Sequence, residues 1–119
     1  MDEKHNLSVV QLNCHKSHAV MLNLKQNFSQ SANLFLLQEP HVGKNGVSGL
    51  SGFNVCSFGE NPRAAIAARN DLHVWPDPLY SDSDMTTIIV TKKHMKVYVS
   101  SIYLDICLLY TSPSPRDRG

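Results

Sequence analysis

The sequence predicts an α/β domain, and three observations carry that expectation. Residues 7–13 and 34–37 are short apolar, strand-like stretches, and the segment between them places apolar residues at a spacing of four. Alternating or wholly apolar short runs suit strands, whereas a spacing of four aligns side chains on one helical stripe. Two β-branched runs near the end, 86–91 and 96–104, complete the pattern as a hairpin.

The elements follow in order. Leu7, Val9, Val10 and Leu12 mark a buried opening strand that ends at Asn13. Ser17 suits a helix N-cap, and Val20, Leu24, Phe28 and Ala32 form the stripe while Lys25, Gln26 and Asn27 face water. Leu34-Phe35-Leu36-Leu37 is wholly apolar, as expected of a central strand covered on both faces, and Pro40 withholds the donor needed to continue it. Strand, helix and strand together predict a right-handed crossover unit. Residues 41–52 carry Gly43, Gly46, Gly49 and Gly52 and are expected to form a mobile loop, after which 53–58 resume a strand. Ala64 to Ala68 are small enough for a packed strand or a helix, and their context favours the strand. Asp77, Pro78 and the run 81–84 make a turn before the hairpin, with Lys92, Lys93 and His94 at its tip.

Composition bounds the function. At 119 residues and 13.3 kDa, with 42% apolar and 18% charged residues, the chain makes one modest domain and neither a disordered tail nor a multidomain enzyme. No apolar run approaches the roughly 18 residues that span a bilayer, and the polar lead Met1 to Asn6 has no apolar core of a secretory signal. Cys14, Cys56 and Cys107 are far apart and odd in number, against a disulfide framework or a zinc cage, so an intracellular, reducing compartment is expected. The formal charge of +1 gives no general attraction for polyanions. A nucleic-acid substrate would therefore need local groups or a bound cation to offset its phosphates.

Three polar residues stand where apolar strands stop: Asn13, Glu39 and Tyr103. Parallel strands ending together deliver such residues to one sheet edge, the common position of sites in α/β folds. A carboxylate there offers a hard oxygen ligand to Mg²⁺, an amide positions a phosphate or second ligand, and a phenol donates to a phosphoryl oxygen. Taken singly, each has a plainer account: a turn-forming Asn, a solvated Glu before Pro, a packed Tyr. The six histidines show no His-x-x-x-His spacing, and surface positions suit His15 and His18. Cys14 and Cys56 read as small core residues, and Trp75 as a ring packed over a sheet edge.

The order of four blocks raises these residues above their plainer accounts. Gln11-Leu12-Asn13-Cys14, Leu36-Leu37-Gln38-Glu39-Pro40, Asn61-Pro62-Arg63-Ala64-Ala65-Ile66 and Ser101-Ile102-Tyr103-Leu104-Asp105 resemble the successive N-terminal blocks of the endonuclease domain of non-LTR retrotransposons, within the exonuclease–endonuclease–phosphatase superfamily. The resemblance covers about residues 7 to 106. It implies that Glu39 binds a divalent metal, Mg²⁺ or Mn²⁺, that Asn13 lies beside it as a second member of the metal and phosphate site, and that Tyr103 contacts the scissile phosphate of DNA. Arg63 is either a contact to the DNA backbone or a structural arginine in a surface turn. The implied fold is the N-terminal half of a two-sheet β-sandwich flanked by helices. The fragment is expected to supply mostly one sheet and to leave an apolar face exposed.

The later blocks of that family, Gly-Asp-x-Asn and Ser-Asp-His, have no counterpart. Ser83-Asp84-Met85 lies in a turn, has Met where His is required and comes too early. Residues 107–117 match the in-frame translation of an adaptor used in transposase-based sequencing libraries, so 107–119 are expected to be a non-native tail and the genuine segment to end near Ile106. The expected function is a fragment of a metal-dependent endonuclease that nicks target DNA in the nucleus for retrotransposition, inactive as truncated. The alternatives are a remnant without a selected role, or a fragment of a cellular apurinic endonuclease or phosphatase.

Overall fold

The structure is a computed structural model that describes residues 7–92 and 94–104. The polar lead 1–6, Lys93, Asp105, the boundary near Ile106 and the tail 107–119 lie outside the described residues.

The opening unit forms as β1 (Val9–Asn13), α1 (His18–Phe28) and β2 (Leu34–Gln38). β1 and β2 run parallel, with Val9 opposite Leu34 and Asn13 opposite Gln38. Helix α1 starts where Ser17, in extended conformation, accepts a hydrogen bond at its Oγ from Val20 N at 3.2 Å, satisfying one of the orphan donors of the first turn. Two expectations need correction. The buried helical side chains are Met21 and Leu24, whereas Phe28 is 48% exposed. The helix stops at Phe28, so Ala32 reaches the core from the following turn and not along the stripe. β1 is likewise no buried strand: among the described residues it pairs only with β2, and Val9 and Val10 are exposed. Val10, Leu12, Val20 and Phe28 consequently line an open apolar groove of about 240 Å³.

After β2 come a small hairpin of β3 (Val42–Gly43) and β4 (Gly46–Val47), then β5 (Phe53–Cys56) and β6 (Ala64–Arg69). The glycine-rich segment, expected as a loop, thus contains a short hairpin and packs in part against the core. Leu50 is buried in the core, and a Cβ at Gly49 would stand 2.9 Å from Met21 Cβ. β6 is a strand because β2 and β5 pair with it antiparallel on either side, giving a four-stranded sheet in the order β1-β2-β6-β5. Its Ala64 to Ala68 are all buried, and small side chains let layers close on both faces.

A second, antiparallel sheet contains β7 (His73–Pro76), β8 (Met85–Lys92) and β9 (Met95–Ile102), with a 3₁₀ turn at Pro78–Tyr80. β8 and β9 are the expected hairpin; β7, unforeseen in sequence, pairs with β8. The described residues therefore build two stacked sheets, where the sequence suggested mostly one. Ile88 and Val90 project onto Leu34, Ile66 and Ala68, so β7 to β9 stack on the face of the first sheet. The other face packs Phe35, Leu37, Ala65 and Ala67 against Met21, Leu24 and Leu50. Fully burying side chains such as Phe35, Leu34 or Ile66 contributes about 1.5–3 kcal/mol each. Among the described residues, exposed apolar side chains lie at the β1 margin, in the 3₁₀ turn, on the outer side of the second sheet and just after β9. Trp75, on the edge strand β7 opposite Ile89 and in turn Tyr98, is 60% exposed.

Candidate metal and phosphate site

The site follows from how β1 and β2 end. Because they are parallel and in register, Asn13 and Gln38 finish side by side, and Cys14 N donates to Gln38 O at 2.7 Å. The chain then turns sharply: Asn13 Oδ1 accepts from His15 N at 2.8 Å, and His15 and Lys16 adopt φ of 53° and 58°. Lys16 N in turn donates to Glu39 O at 2.7 Å. Glu39 also has positive φ, 50°, and its own N–H donates to Arg63 O at 2.9 Å. Non-glycine residues in the left-handed region cost about 1–2 kcal/mol each and persist only where neighbours hold them. Three of them in contact mark this rim as a place where the backbone is bent to aim side chains.

Asn13, Gln11 and Gln38 point to the same side of the first sheet as Leu34 and Leu36, the side facing the second sheet. The second sheet reaches them through the end of β9. Gln38 Nε2 donates to Ser101 Oγ at 3.0 Å, Ser101 Oγ donates to Leu37 O at 3.0 Å, and Gln11 Nε2 donates to Gln38 Oε1 at 3.3 Å. Two residues on, Tyr103 N donates to Asp84 O at 2.8 Å. Gln11, Asn13, Gln38, Ile102, Tyr103 and Leu104 together line an open groove of about 440 Å³.

Arg63 stands beside Tyr103. Its Nε and Nη2 donate to the two carboxylate oxygens of Asp84 at 2.7 and 2.8 Å, and its guanidinium carbon lies 4.8 Å from the Tyr103 ring centroid. With both partners nearly half exposed, the ion pair contributes on the order of 1 kcal/mol or less. A neighbouring cleft of about 370 Å³ is lined by Lys16, His41, Asn61 and Arg63 around Pro40 and Val42.

The donor chemistry is that of hard oxygen. Glu39 is partly buried, and His15 Nδ1 lies 3.9 Å from its Oε1. A carboxylate with an amide oxygen alongside suits Mg²⁺, which keeps several waters and takes one or two protein carboxylates. No cluster of three or more His, Cys, Asp or Glu side chains converges among the described residues. Glu39 and Asn13 are oxygen donors of the kind such a site needs. Cys14, directly after Asn13, is buried, and burial pushes its thiol up to about 11, so it is an inert neighbour and no nucleophile. Cys56 is half-buried against the inter-sheet core, its thiol also raised by burial.

The two-layer arrangement, with strand ends of both sheets meeting at a polar rim, has the fold of an endonuclease domain. It is similar to a solved structure, the endonuclease domain of TRAS1, a telomere-specific non-LTR retrotransposon, with a TM-score of 0.65 at 20% sequence identity over 84% of this chain. The chain spans 45% of the length of that structure. No protein-family model and no curated protein matches the chain. Among the described residues no helix is long and apolar enough to cross a membrane.

Asn13, Glu39, Arg63 and Tyr103 all come to this rim. Sequence reasoning missed Gln38, Ser101 and Asp84. For Gln38 a signal existed: it is the polar residue that follows an all-apolar run in β2, in register with Asn13. Asp84 was passed over because its tripeptide fails as a Ser-Asp-His block, although its carboxylate holds Arg63.

Proposed function

We propose that the chain is part of a divalent-metal-dependent DNA endonuclease of a non-LTR retrotransposon, whose intact parent nicks target DNA in the nucleus and leaves a 3′ hydroxyl to prime reverse transcription. The observation that carries this reading is that Asn13 and Tyr103 line one groove with Gln38, which is in register with Asn13, and that Glu39 follows Gln38 at the end of the same strand. Glu39 and Asn13 would hold the metal, Mg²⁺ or Mn²⁺, which when bound supplies charge stabilisation to a phosphoryl oxygen. Tyr103 would present its hydroxyl to the scissile phosphate. Lys16 supplies positive charge beside the rim, where Arg63 is paired with Asp84, in a chain with little net charge.

The polypeptide as it stands is proposed to be inactive, because no residue supplies the water-activating carboxylate or the closing Asp and His of the resembled family. Mg²⁺-dependent plasmid nicking by the purified chain, lost on Glu39→Ala, would overturn that. Metal binding is tested separately. Mn²⁺ should broaden the amide resonances of Asn13, His15 and Tyr103 in the wild-type chain and leave them sharp in Glu39→Gln. Equal broadening in both proteins removes the metal role from Glu39.

A further inference from the structure

The geometry points to Arg63 and Asp84 as positioning residues that fix the ring of Tyr103 at the rim of the site. Tyr103 follows β9 as the chain leaves the second sheet, where strand pairing no longer restrains it. Contacts with Asp84 and Arg63 take its place. Tyr103 N is held by Asp84 O at 2.8 Å, the Arg63 guanidinium lies over the ring at 4.8 Å, and Asp84 orients the guanidinium through both carboxylate oxygens at 2.7 and 2.8 Å. Asp84 thus grips the tyrosine twice, by its carbonyl directly and by its carboxylate through Arg63.

The clamp is itself anchored to both sheets. Arg63 N donates to Ser83 O at 2.6 Å and Arg63 O accepts from Glu39 N at 2.9 Å, so a single residue ties the carboxylate-bearing turn after β2 to the turn before β8. The buried Thr86 Oγ1 donates to Ala64 O at 3.0 Å, joining the next residue after Arg63 to the start of β8. A planar fork held bidentate by a carboxylate while its central carbon lies over an aromatic ring is a geometry lysine cannot reproduce. The carboxylate also neutralises Arg63, so the side chain acts on a bound anion through the ring it places more than by its own charge. That Tyr103 then meets a phosphodiester rests on the function proposed above; its placement by the clamp does not.

The test uses the full chain with its four tyrosines replaced by 3-fluorotyrosine, and Tyr103→Phe identifies the Tyr103 ¹⁹F line. Asp84→Asn and Arg63→Lys should each displace and broaden that line, leave the other tyrosine lines in place and change the melting temperature little. A Tyr103 line that stays at its wild-type position in Asp84→Asn overturns the proposal, as does a change shared by all the lines, which would mean general loosening. Asp84→Asn is near-isosteric and carries the test if Arg63→Lys fails to fold. A second measurement, binding of a duplex oligonucleotide with Mg²⁺ present, separates the two readings. Weaker binding in both Asp84→Asn and Tyr103→Phe, with the double variant no weaker than Tyr103→Phe alone, supports the clamp acting through the tyrosine. A displaced ¹⁹F line with unchanged binding leaves the clamp standing and removes Tyr103 from the DNA site.

Discussion

Gln38 and Ser101 meet between the two sheets, Nε2 to Oγ at 3.0 Å, both buried. They are the polar link that sets how far the end of β9 lies from the ends of β1 and β2, and hence the width of the groove between Asn13 and Tyr103. Ser101 Oγ also donates to Leu37 O, so its removal takes a hydrogen-bond partner from two buried groups. Ser101→Ala should cost about 1–3 kcal/mol, read as a lower urea midpoint at unchanged slope. Ser101→Thr, which keeps the hydroxyl, should recover part of the loss. A neutral Ser101→Ala would mean that the link carries no stability.

Gly49 and Gly46 separate two reasons for needing glycine. Both have positive φ, 90° and 102°, but a Cβ at Gly49 would meet Met21 Cβ at 2.9 Å while one at Gly46 has nothing within 4 Å. Alanine at either position brings the left-handed penalty of about 1 kcal/mol. Only Gly49→Ala adds an overpacking cost of about 1–3 kcal/mol. Chemical denaturation should therefore rank Gly49→Ala well below Gly46→Ala, and equal losses would mean that α1 shifts freely away from the loop.

The sequence made the strand–helix–strand opening and the β8–β9 hairpin legible because each is a local pattern. Ser17 caps the helix, Pro40 closes the region after β2, and β-branched residues alternate. Burial was less legible, because it depends on partners distant in sequence. Val9 and Val10 look like core residues until β1 proves to be an edge strand, and Phe28 fits the helical stripe yet points past the rim. β7 was hidden because His73-Val74-Trp75-Pro76 is short and ends in proline, and only its pairing with β8 makes it a strand. At the site, the residue types at strand ends were visible, whereas the contacts of Arg63 with Asp84 and Tyr103 span 21 and 40 positions, respectively, and no spacing rule reaches them.

Cys14 gives the fold a pH dependence on the alkaline side. Its thiol is raised from 9.0 to about 11 by burial, so the folded state holds the proton that the unfolded chain releases. A raised folded-state value means that the contribution is complete below about pH 9 and is lost as pH climbs through 11. Roughly two pH units correspond to ~2–3 kcal/mol at most. Cys14→Ala should flatten the fall in stability between pH 9 and 11, measured by urea unfolding across that range. The wild-type thiol should also react with iodoacetamide far more slowly at pH 8 than it does in the denatured chain. Rapid alkylation of Cys14 in the native state would contradict its burial.

Glu39 combines a strained backbone with the carboxylate proposed to hold the metal, and the two can be varied independently. At φ 50° a glutamate is held in the left-handed region by the Arg63 and Lys16 backbone bonds, a conformation that asparagine tolerates better. Glu39→Asn should therefore raise stability by about 0.5–1 kcal/mol, the scale of gains from residues suited to their native backbone. It should at the same time abolish Mn²⁺-induced broadening around Asn13 and His15, since the neutral amide is a much weaker ligand for a hard cation. Glu39→Gln, which keeps side-chain length without that backbone preference, should lose the metal effect with little change in stability. If Glu39→Asn were instead destabilising by a kilocalorie per mole or more, the carboxylate would be holding the rim together, and its placement would owe more to structure than to a bound cation.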